Sequence, residues 1–127
     1  MQAFLIELVG EVGELARVTE AIAAKDINIV GFSGASYADF GTAVVTVDDA
    51  DVTRLENALI GIPVGFREYE LVTVALDDVP GKLAGAARKL ADAEVSVEAA
   101  IATGMQGNDV IMGFAVGDPG KARDALA

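Results

Sequence analysis

The residues that could do chemistry in this chain are carboxylates, because histidine and cysteine are both absent. Their absence excludes serine–histidine catalysis, histidine-based zinc sites, thiol chemistry and disulfides. The adjacent pairs Asp48-Asp49 and Asp77-Asp78 could serve acid–base or cation chemistry, although acidic residues in turns are usually solvated caps. An enzyme that uses carboxylates alone is the least favoured interpretation, because no second functional group accompanies them. The sequence therefore predicts a protein that is not an enzyme, with no catalytic residue, metal site or cofactor.

A second chemical feature is the turn Asp78–Lys82, DVPGK. It is not a phosphate loop, because Leu76 stands where the Walker pattern requires glycine and Leu83 where it requires serine or threonine. Gly81 allows close approach of the backbone, and the free N–H groups of a following helix attract a carboxylate. Asp78 could hold an ammonium group, so the turn could suit an α-amino acid. On pattern alone, an ordinary strand–helix turn with proline at the first helical position is the favoured alternative.

This turn belongs to a duplicated unit. The stretches 9–32 and 77–100 match at a fixed offset of 68 positions, through the pairs Gly13/Gly81, Leu15/Leu83, Ala16/Ala84, Ile22/Leu90 and Ile27/Val95. A fixed offset is the signature of a repeat. Two later pairs, Asp51/Asp118 and Leu59/Leu126, match at an offset of 67, which indicates that a loop has lost one residue.

The first copy reads as strand, helix, strand, strand, helix, strand. Apolar runs and β-branched residues predict strands at Ala3–Val9, Ile27–Ala35, Thr42–Val47 and Val64–Leu76, the last of which runs into the second copy. Helical spacing of Leu15, Val18 and Ile22 predicts a helix over 14–25, and Asp51 is expected to cap a second helix that ends at Gly61. Two glycines, Gly31 and Gly34, suggest a bulge or a close backbone approach.

The second copy repeats the order without its last strand. A helix opens at Pro80-Gly81 with Leu83, Ala87 and Leu90 on its inner face, and strands follow at Val95–Thr103 and Asp109–Val116. A final helix begins at Asp118-Pro119. The predicted fold class is α+β: two ferredoxin-like βαββαβ units, packed side by side, with helices on one face of antiparallel sheets. The predicted domains are residues 1–70 and 71–127, the second without its last strand.

Charge and hydropathy limit the classes of partner that the sequence predicts. The net charge of −11 disfavours nucleic acid, because no basic patch is visible and phosphate backbones would be repelled. There is no apolar run of about 18 residues and no basic N-terminal leader, so we expect neither a membrane partner nor a signal peptide. A cytoplasmic location is the expectation.

Both copies resemble the ACT domain, the small ferredoxin-like regulatory module of amino-acid metabolism. The resemblance is carried by VPGKLAGAARKLADAEVSVEAAI in the second copy and VGELARVTEAIAAKDINIVGF in the first. The second copy is especially similar to the paired ACT domains of aspartate kinases. The resemblance implies an eight-stranded sheet and an amino-acid effector, bound between the first turn of one domain and the second strand of its neighbour.

The resemblance also implies site residues. The family's turn often reads Asn or Asp, any residue, Pro, Gly, and the second copy matches it through Asp78, Pro80 and Gly81, whereas the first keeps only Gly13. The family's asparagine at the start of the second strand is present as Asn28 but is Ser96 in the second copy. We therefore predict one competent ligand site, made of Asp78, Val79, Pro80, Gly81 and Lys82 with Asn28, Ile29 and Val30. A weaker second site comprises Gly10, Glu11, Val12 and Gly13 with Ser96 and Val97.

The sequence thus predicts a stand-alone tandem ACT regulatory protein that binds a small amino acid at the inter-domain interface. It is expected to signal to a partner, such as a separate enzyme of amino-acid metabolism, or to its own oligomer. A homodimer is the default expectation, because a neighbouring chain could cover the edge left by the missing strand. The alternative is a ligand-free structural or protein-interaction module of ferredoxin-like fold.

Overall fold

The computed structural model describes all 127 residues and divides into two compact units, Met1–Glu68 and Tyr69–Ala127. The division falls within one long strand, Phe66–Leu76, which ends the first unit and begins the second. This is the continuous strand that the alternating stretch 64–76 predicts.

The first unit has the strand order of a ferredoxin-like sheet. Its elements are β1 (Gln2–Val9), α1 (Glu14–Ala23), β2 (Gly31–Tyr37), β3 (Phe40–Val47), a 3-10 turn (Asp49–Asp51), α2 (Val52–Ile60) and the start of β4 (Phe66–Leu76). Their order across the sheet is β2-β3-β1-β4, and β3 pairs antiparallel with both β1 and β2. This order places β3 and β1 at the centre of the unit's sheet, and both strands contribute buried residues to the core.

The core of the first unit lies between the sheet and its two helices. Apolar residues at helical spacing on α1 and α2 face alternate residues of β1 and β3, as the two periodicities require. The largest side chains that are fully buried in this core are Phe4, Ile6, Val18, Ile22, Val45, Val47, Leu55 and Leu59. Their burial supplies the main favourable free energy of the unit.

The second unit repeats this plan with one strand fewer. After β4 come α3 (Lys82–Asp92), β5 (Val97–Gln106), β6 (Asp109–Val116) and α4 (Pro119–Leu126), with strand order β4-β6-β5. Both pairings are antiparallel, and the β5–β6 register shifts at Val97/Ala99 and Ala102/Gly104. The core consists of Val72, Ala86, Leu90, Val95, Phe114, Val116 and Ala122. The predicted α+β, ferredoxin-like class is confirmed.

Some local predictions are confirmed and others are wrong. Asp118 caps α4 as predicted, since its Oδ1 accepts the N–H of Lys121 at 3.1 Å. The side chain of Asp51 does not cap α2. A 3-10 turn precedes the helix, and the carboxylate of Asp51 pairs with Arg54 instead. Strand β2 begins at Gly31 rather than Ile27, and Ile27 lies in the loop before the strand, where it is buried in the core.

The predicted inner faces of α1 and α3 are partly wrong. Leu15 is 47% exposed and its counterpart Leu83 is 48% exposed, although both continue the apolar helical pattern. Ala87 is also exposed, and Ala86 and Leu90 are the residues of α3 that enter the core. Leu15 and Leu83 each lie in the first turn of their helix, where the chain has only just left the sheet.

Two acidic residues of the first unit, Glu56 on α2 and Glu68 on β4, affect the pH dependence of stability. Partial desolvation by its neighbours raises the pKa of Glu68, and the charge and hydrogen bond of Glu56 raise it further. The folded state therefore holds this proton more tightly than the unfolded chain, and stability falls as pH rises from the ordinary glutamate pKa of about 4.3 through the raised value.

We expect the Glu68→Gln variant to remove this loss. Its melting temperature should exceed that of the unaltered protein at pH 7–8, and the difference should shrink as the pH falls towards about 4. Circular dichroism melts across this range measure it. Glu20→Gln is the control, because Glu20 is exposed on α1. An equal gain from the control would show that net charge, rather than the Glu56–Glu68 pair, sets the effect.

Candidate functional site

The turns that precede α1 and α3 have the same backbone geometry. Gly13 has φ 93° and ψ −7°, and Gly81 has φ 91° and ψ −10°. This left-handed region is unfavourable for residues with a side chain, and glycine adopts it freely. A Cβ atom at either position would meet nothing within 4 Å, so the conformation and not a close neighbour requires glycine. The duplication seen in the sequence therefore includes the turn itself.

The turn of the second unit presents free backbone donors. Residues 78–82 are all exposed, and no side chain caps α3. Since the first bond of the helix runs from the N–H of Gly85 to the carbonyl of Gly81 at 2.9 Å, the N–H groups of residues 82–84 have no intrahelical acceptor. The first turn of α3 contains no acidic residue and includes Lys82. These donors, the helix dipole and the lysine all favour an anion here.

The two acidic residues of this turn differ in their surroundings. The Oδ2 of Asp77 lies 3.7 Å from the Nζ of Lys82, whereas Asp78 forms no hydrogen bond or ion pair. A cavity of about 160 Å³ adjoins the turn and is lined by Leu76, Asp77, Asp78, Val79, Lys82, Leu83, Val110 and Met112. The unpaired Asp78 carboxylate is the side chain best able to bind a cationic group, while the other predicted members, Pro80 and Gly81, contribute backbone shape.

The turn of the first unit, Gly10–Gly13, has a different charge. Glu14 begins α1, accepts hydrogen bonds from Arg17, and its N–H is bonded to the carbonyl of Glu11 at 3.3 Å. The hydrogen bond and the charge of Glu14 raise the pKa of Arg17. With Glu11 and Glu14 beside the donors, this turn is less favourable for a carboxylate. Close packing favours glycine at position 10, because a Cβ there would lie 2.8 Å from the carbonyl oxygen of Asp39.

The other predicted contacts lie at the starts of β2 and β5. Asn28 is exposed in the loop before β2 and forms no hydrogen bond, so its amide is available to a ligand. Ile29 packs against the core of the first unit, and the N–H of Val30 donates to the carbonyl of Thr46 at 2.9 Å. Ile29 and Val30 therefore have structural roles. The combination of Asn28, Ile29 and Val30 with residues 78–82 in one site stays a prediction.

The predicted weaker site pairs the first turn with Ser96 and Val97. The Oγ of Ser96 lies 3.3 Å from an oxygen of Glu98, so its hydroxyl already has an acceptor. Val97 begins β5 and is exposed. This second combination likewise stays a prediction, and the local chemistry of its members is poorer than that of Asp78 and Asn28.

Sequence reasoning missed a larger cavity within the first unit. It has a volume of about 550 Å³ and lies between the turn before α1 and the middle of β2. Its lining includes Val9, Val12, Leu15, Phe32, Gly34 and Ser36, several of which are exposed apolar residues. Gly34, for which the sequence suggested a bulge or a close backbone approach, is part of this lining. Strand β2 has no bulge, and a Cβ on Gly34 would make an ordinary 3.7 Å contact with the Phe32 ring.

Two further observations concern the whole chain. None of the four helices has both the length and the apolar character needed to cross a bilayer. No group of three acidic side chains is arranged to hold a metal ion.

Solved structures with the same fold place the chain among known proteins. The protein BT0572 from Bacteroides thetaiotaomicron superposes with a TM-score of 0.77 and 26% identity, covering 98% of this chain and 85% of that one. The ligand-free regulatory subunit of aspartate kinase from Thermus thermophilus gives a TM-score of 0.71 at 18% identity, covering 98% and 87%. The regulatory subunit from Thermus flavus gives 0.69 at 15% identity, covering 99% and 91%.

Comparisons of sequence alone gave no match, either to protein-family models or to curated proteins. The likeness to the aspartate kinase regulatory subunits is therefore one of fold, over almost the full length of this chain. It confirms the fold that the resemblance implies.

Proposed function

We propose that this protein, which has an ACT-like fold, is a regulatory protein that binds a small amino acid. The observation that carries the proposal is the turn before α3. There the unpaired carboxylate of Asp78 stands beside an uncapped helix N-terminus and the cation of Lys82. An α-amino acid carries one charge of each sign, and this turn offers a partner for each.

In the proposed site, the carboxylate of the ligand accepts hydrogen bonds from the N–H groups of residues 82–84 and is attracted by Lys82. Its ammonium group binds Asp78 through charge-assisted hydrogen bonds. Asn28, an exposed amide of the first unit, is the further polar group that the resemblance to ACT domains proposes for the ligand. The small volume of the adjoining cavity, about 160 Å³, and its apolar Val110 and Met112 favour a small aliphatic side chain.

One competent site per chain is proposed. The corresponding turn of the first unit has Glu11 and Glu14 beside its backbone donors, and their negative charge would repel a ligand carboxylate. The fold is shared with regulatory subunits of aspartate kinase, which supports a regulatory rather than a catalytic role. The binding event would pass to a separate enzyme of amino-acid metabolism or to a homodimer of this chain.

The proposal predicts stabilisation by one or a few of the twenty amino acids. A ligand at 100 times its dissociation constant adds about 2.7 kcal/mol to the free energy of unfolding, which raises the melting temperature by roughly 10 °C. A thermal-shift screen identifies the ligand, and titration calorimetry should then give one site per chain. Asp78→Ala should abolish the shift. Asp124→Ala is the control, because Asp124 is an exposed acidic residue on α4 that forms no ion pair.

Two equal sites per chain, or a shift that survives Asp78→Ala, would contradict the proposed site. The second candidate function is a ligand-free interaction module. Its support is the cluster of exposed apolar residues Val9, Val12, Leu15 and Phe32 in the first unit. A screen in which no amino acid shifts the melting temperature would favour this alternative.

A further inference from the structure

Two apolar side chains near the start of α3, Val79 and Leu83, are not covered by the core of the second unit. Leu83 continues the apolar pattern of the helix, and Val79 lies in the turn before it, yet about half of each side chain is exposed. Single exposed apolar residues are ordinary. These two, however, line the same cavity of about 160 Å³. The cavity therefore has an apolar wall that the folding of this unit does not use.

The sheet supplies further apolar residues to this cavity. Leu76, at the end of β4, is paired with Val110 of β6, and both line it. Met112 stands two residues after Val110, so the two side chains share one face of β6. Leu76 and Met112 are partly buried against the core of the second unit. The cavity thus lies between the paired strands β4 and β6 and the first turn of α3.

The polar residues that line the cavity all belong to the turn and the start of α3. They are Asp77, Asp78 and Lys82, and no hydroxyl or side-chain amide is present in the lining. Asp78 and Lys82 are the charged groups proposed to bind the ammonium and carboxylate groups of an amino acid. A polar group on the ligand's side chain would lose water in the cavity without gaining a hydrogen-bond partner. The lining therefore favours an aliphatic side chain.

The volume of the cavity limits the size of that side chain. An apolar cavity of about 150 Å³ holds a molecule as large as benzene. Part of the 160 Å³ here must hold the Cα atom and the charged groups of the ligand. The remainder suits a branched side chain of about three or four carbons. Met112 is the flexible, unbranched residue of the lining, and such side chains fill irregular gaps, so its length sets how much room remains.

The repeat indicates that the apolar wall is particular to the second unit. At the offset of 68 positions, Leu83 corresponds to Leu15, but Val79 corresponds to Glu11 and Lys82 to Glu14. A carboxylate in the first unit thus takes the place of an apolar side chain in the second. The first turn therefore lacks both the lysine and the complete apolar wall.

We propose that this cavity selects a branched aliphatic amino acid, such as valine, and that Leu83 and Met112 are its specificity-determining residues. The inference rests on the proposed function, because Asp78 and the N-terminus of α3 must first bind the charged groups of the ligand. The ligand's side chain then covers Val79 and Leu83 and ends against Met112. Burial of apolar surface supplies the preference over polar amino acids.

Valine and threonine test the selection by polarity, because they have the same shape and differ by a methyl and a hydroxyl group. Titration calorimetry should show tighter binding of valine, by about tenfold to 100-fold, since an apolar pocket discriminates against a hydroxylated isostere by about the latter factor. Leu83→Ala should weaken valine binding about tenfold, because it removes apolar surface that the ligand covers. Leu15→Ala is the matched control, because Leu15 holds the same place in the first unit and is equally exposed.

Leucine and valine test the role of Met112 in setting the size of the ligand. Met112→Ala enlarges the cavity and should raise the ratio of leucine affinity to valine affinity about fourfold, the effect of one buried methylene group. Met112→Leu nearly conserves the volume and should preserve the ratio. Met105→Ala is the control, because Met105 is exposed on β5 outside the cavity. The ratio is taken within each variant, so a general loss of stability cancels.

Three outcomes would contradict the inference, and they differ in what they leave standing. Threonine binding as tight as valine binding, or an equal ratio in Met112→Ala and Met105→Ala, would remove the assigned selectivity. A charged, polar or aromatic amino acid that binds in a manner dependent on Asp78 would do the same, while the proposed amino-acid site would stand. Absence of binding by every amino acid would overturn the proposed function and this inference together.

Discussion

Replacing Phe4 by alanine should lower the free energy of unfolding of the first unit by about 3–5 kcal/mol. Phe4 is fully buried on the central strand β1, opposite Val45 of β3 and against Phe66. Alanine removes the apolar contacts of the ring and leaves a cavity that a close-packed interior fills only in part. Small domains have total stabilities of about 5–15 kcal/mol, so the loss is a large fraction of what holds this unit folded.

Urea unfolding followed by circular dichroism measures the change, and hydrogen exchange assigns it to residues of the first unit. Phe40→Ala is the matched control, because Phe40 lies on neighbouring β3 but is 79% exposed. It should change stability by no more than about 0.5 kcal/mol. Equal losses from the two variants would show that the core is not centred on β1.

The second large effect is expected in α3. Leu90→Ala should destabilise the second unit by about 2–5 kcal/mol, because Leu90 is fully buried between α3 and the sheet. Leu83 stands seven residues earlier on the same helix, and sequence periodicity alone gives the two leucines the same role. Since Leu83 is 48% exposed, Leu83→Ala should cost much less, about 1 kcal/mol at most.

The comparison uses two identical substitutions in one helix, so helix propensity cancels between them. Denaturant midpoints of the two variants, with amide exchange at β5 and β6, report the difference. A loss at Leu83 as large as that at Leu90 would place Leu83 in a buried interface in solution.

The positions of most elements could be predicted from local patterns. Strand β6 begins and ends where the apolar run Asp109–Val116 predicts, and α4 begins after its cap residue Asp118. Both features depend on neighbouring residues, through turn chemistry and a single hydrogen bond. Predictions that depended on distant contacts were less accurate, as at Ile27, which is buried by tertiary packing ahead of β2.

The candidate site shows the same division. The two glycine turns could be recognised from the repeat, because each needs a left-handed residue at the same place before a helix. The 550 Å³ cavity of the first unit could not be recognised from the sequence, since its lining residues come from separate elements and have no common spacing. The absence of an ion-pair partner for the Asp78 carboxylate could also be seen only in the tertiary structure. Its neighbour Asp77 has the same side chain and yet lies beside Lys82.

The sequence by itself determined that this protein has a duplicated fold of helices on a sheet, without histidine or cysteine chemistry, because repeats, periodicity and composition are properties of the chain. The tertiary structure alone decided which apolar residues are covered. Leu83 and Leu90 are the same residue type on the same face of α3, and only the elements that pack against Leu90 make it a core residue while Leu83 is exposed. The burial of a side chain depends on the residues that pack against it, and these residues come from distant parts of the sequence.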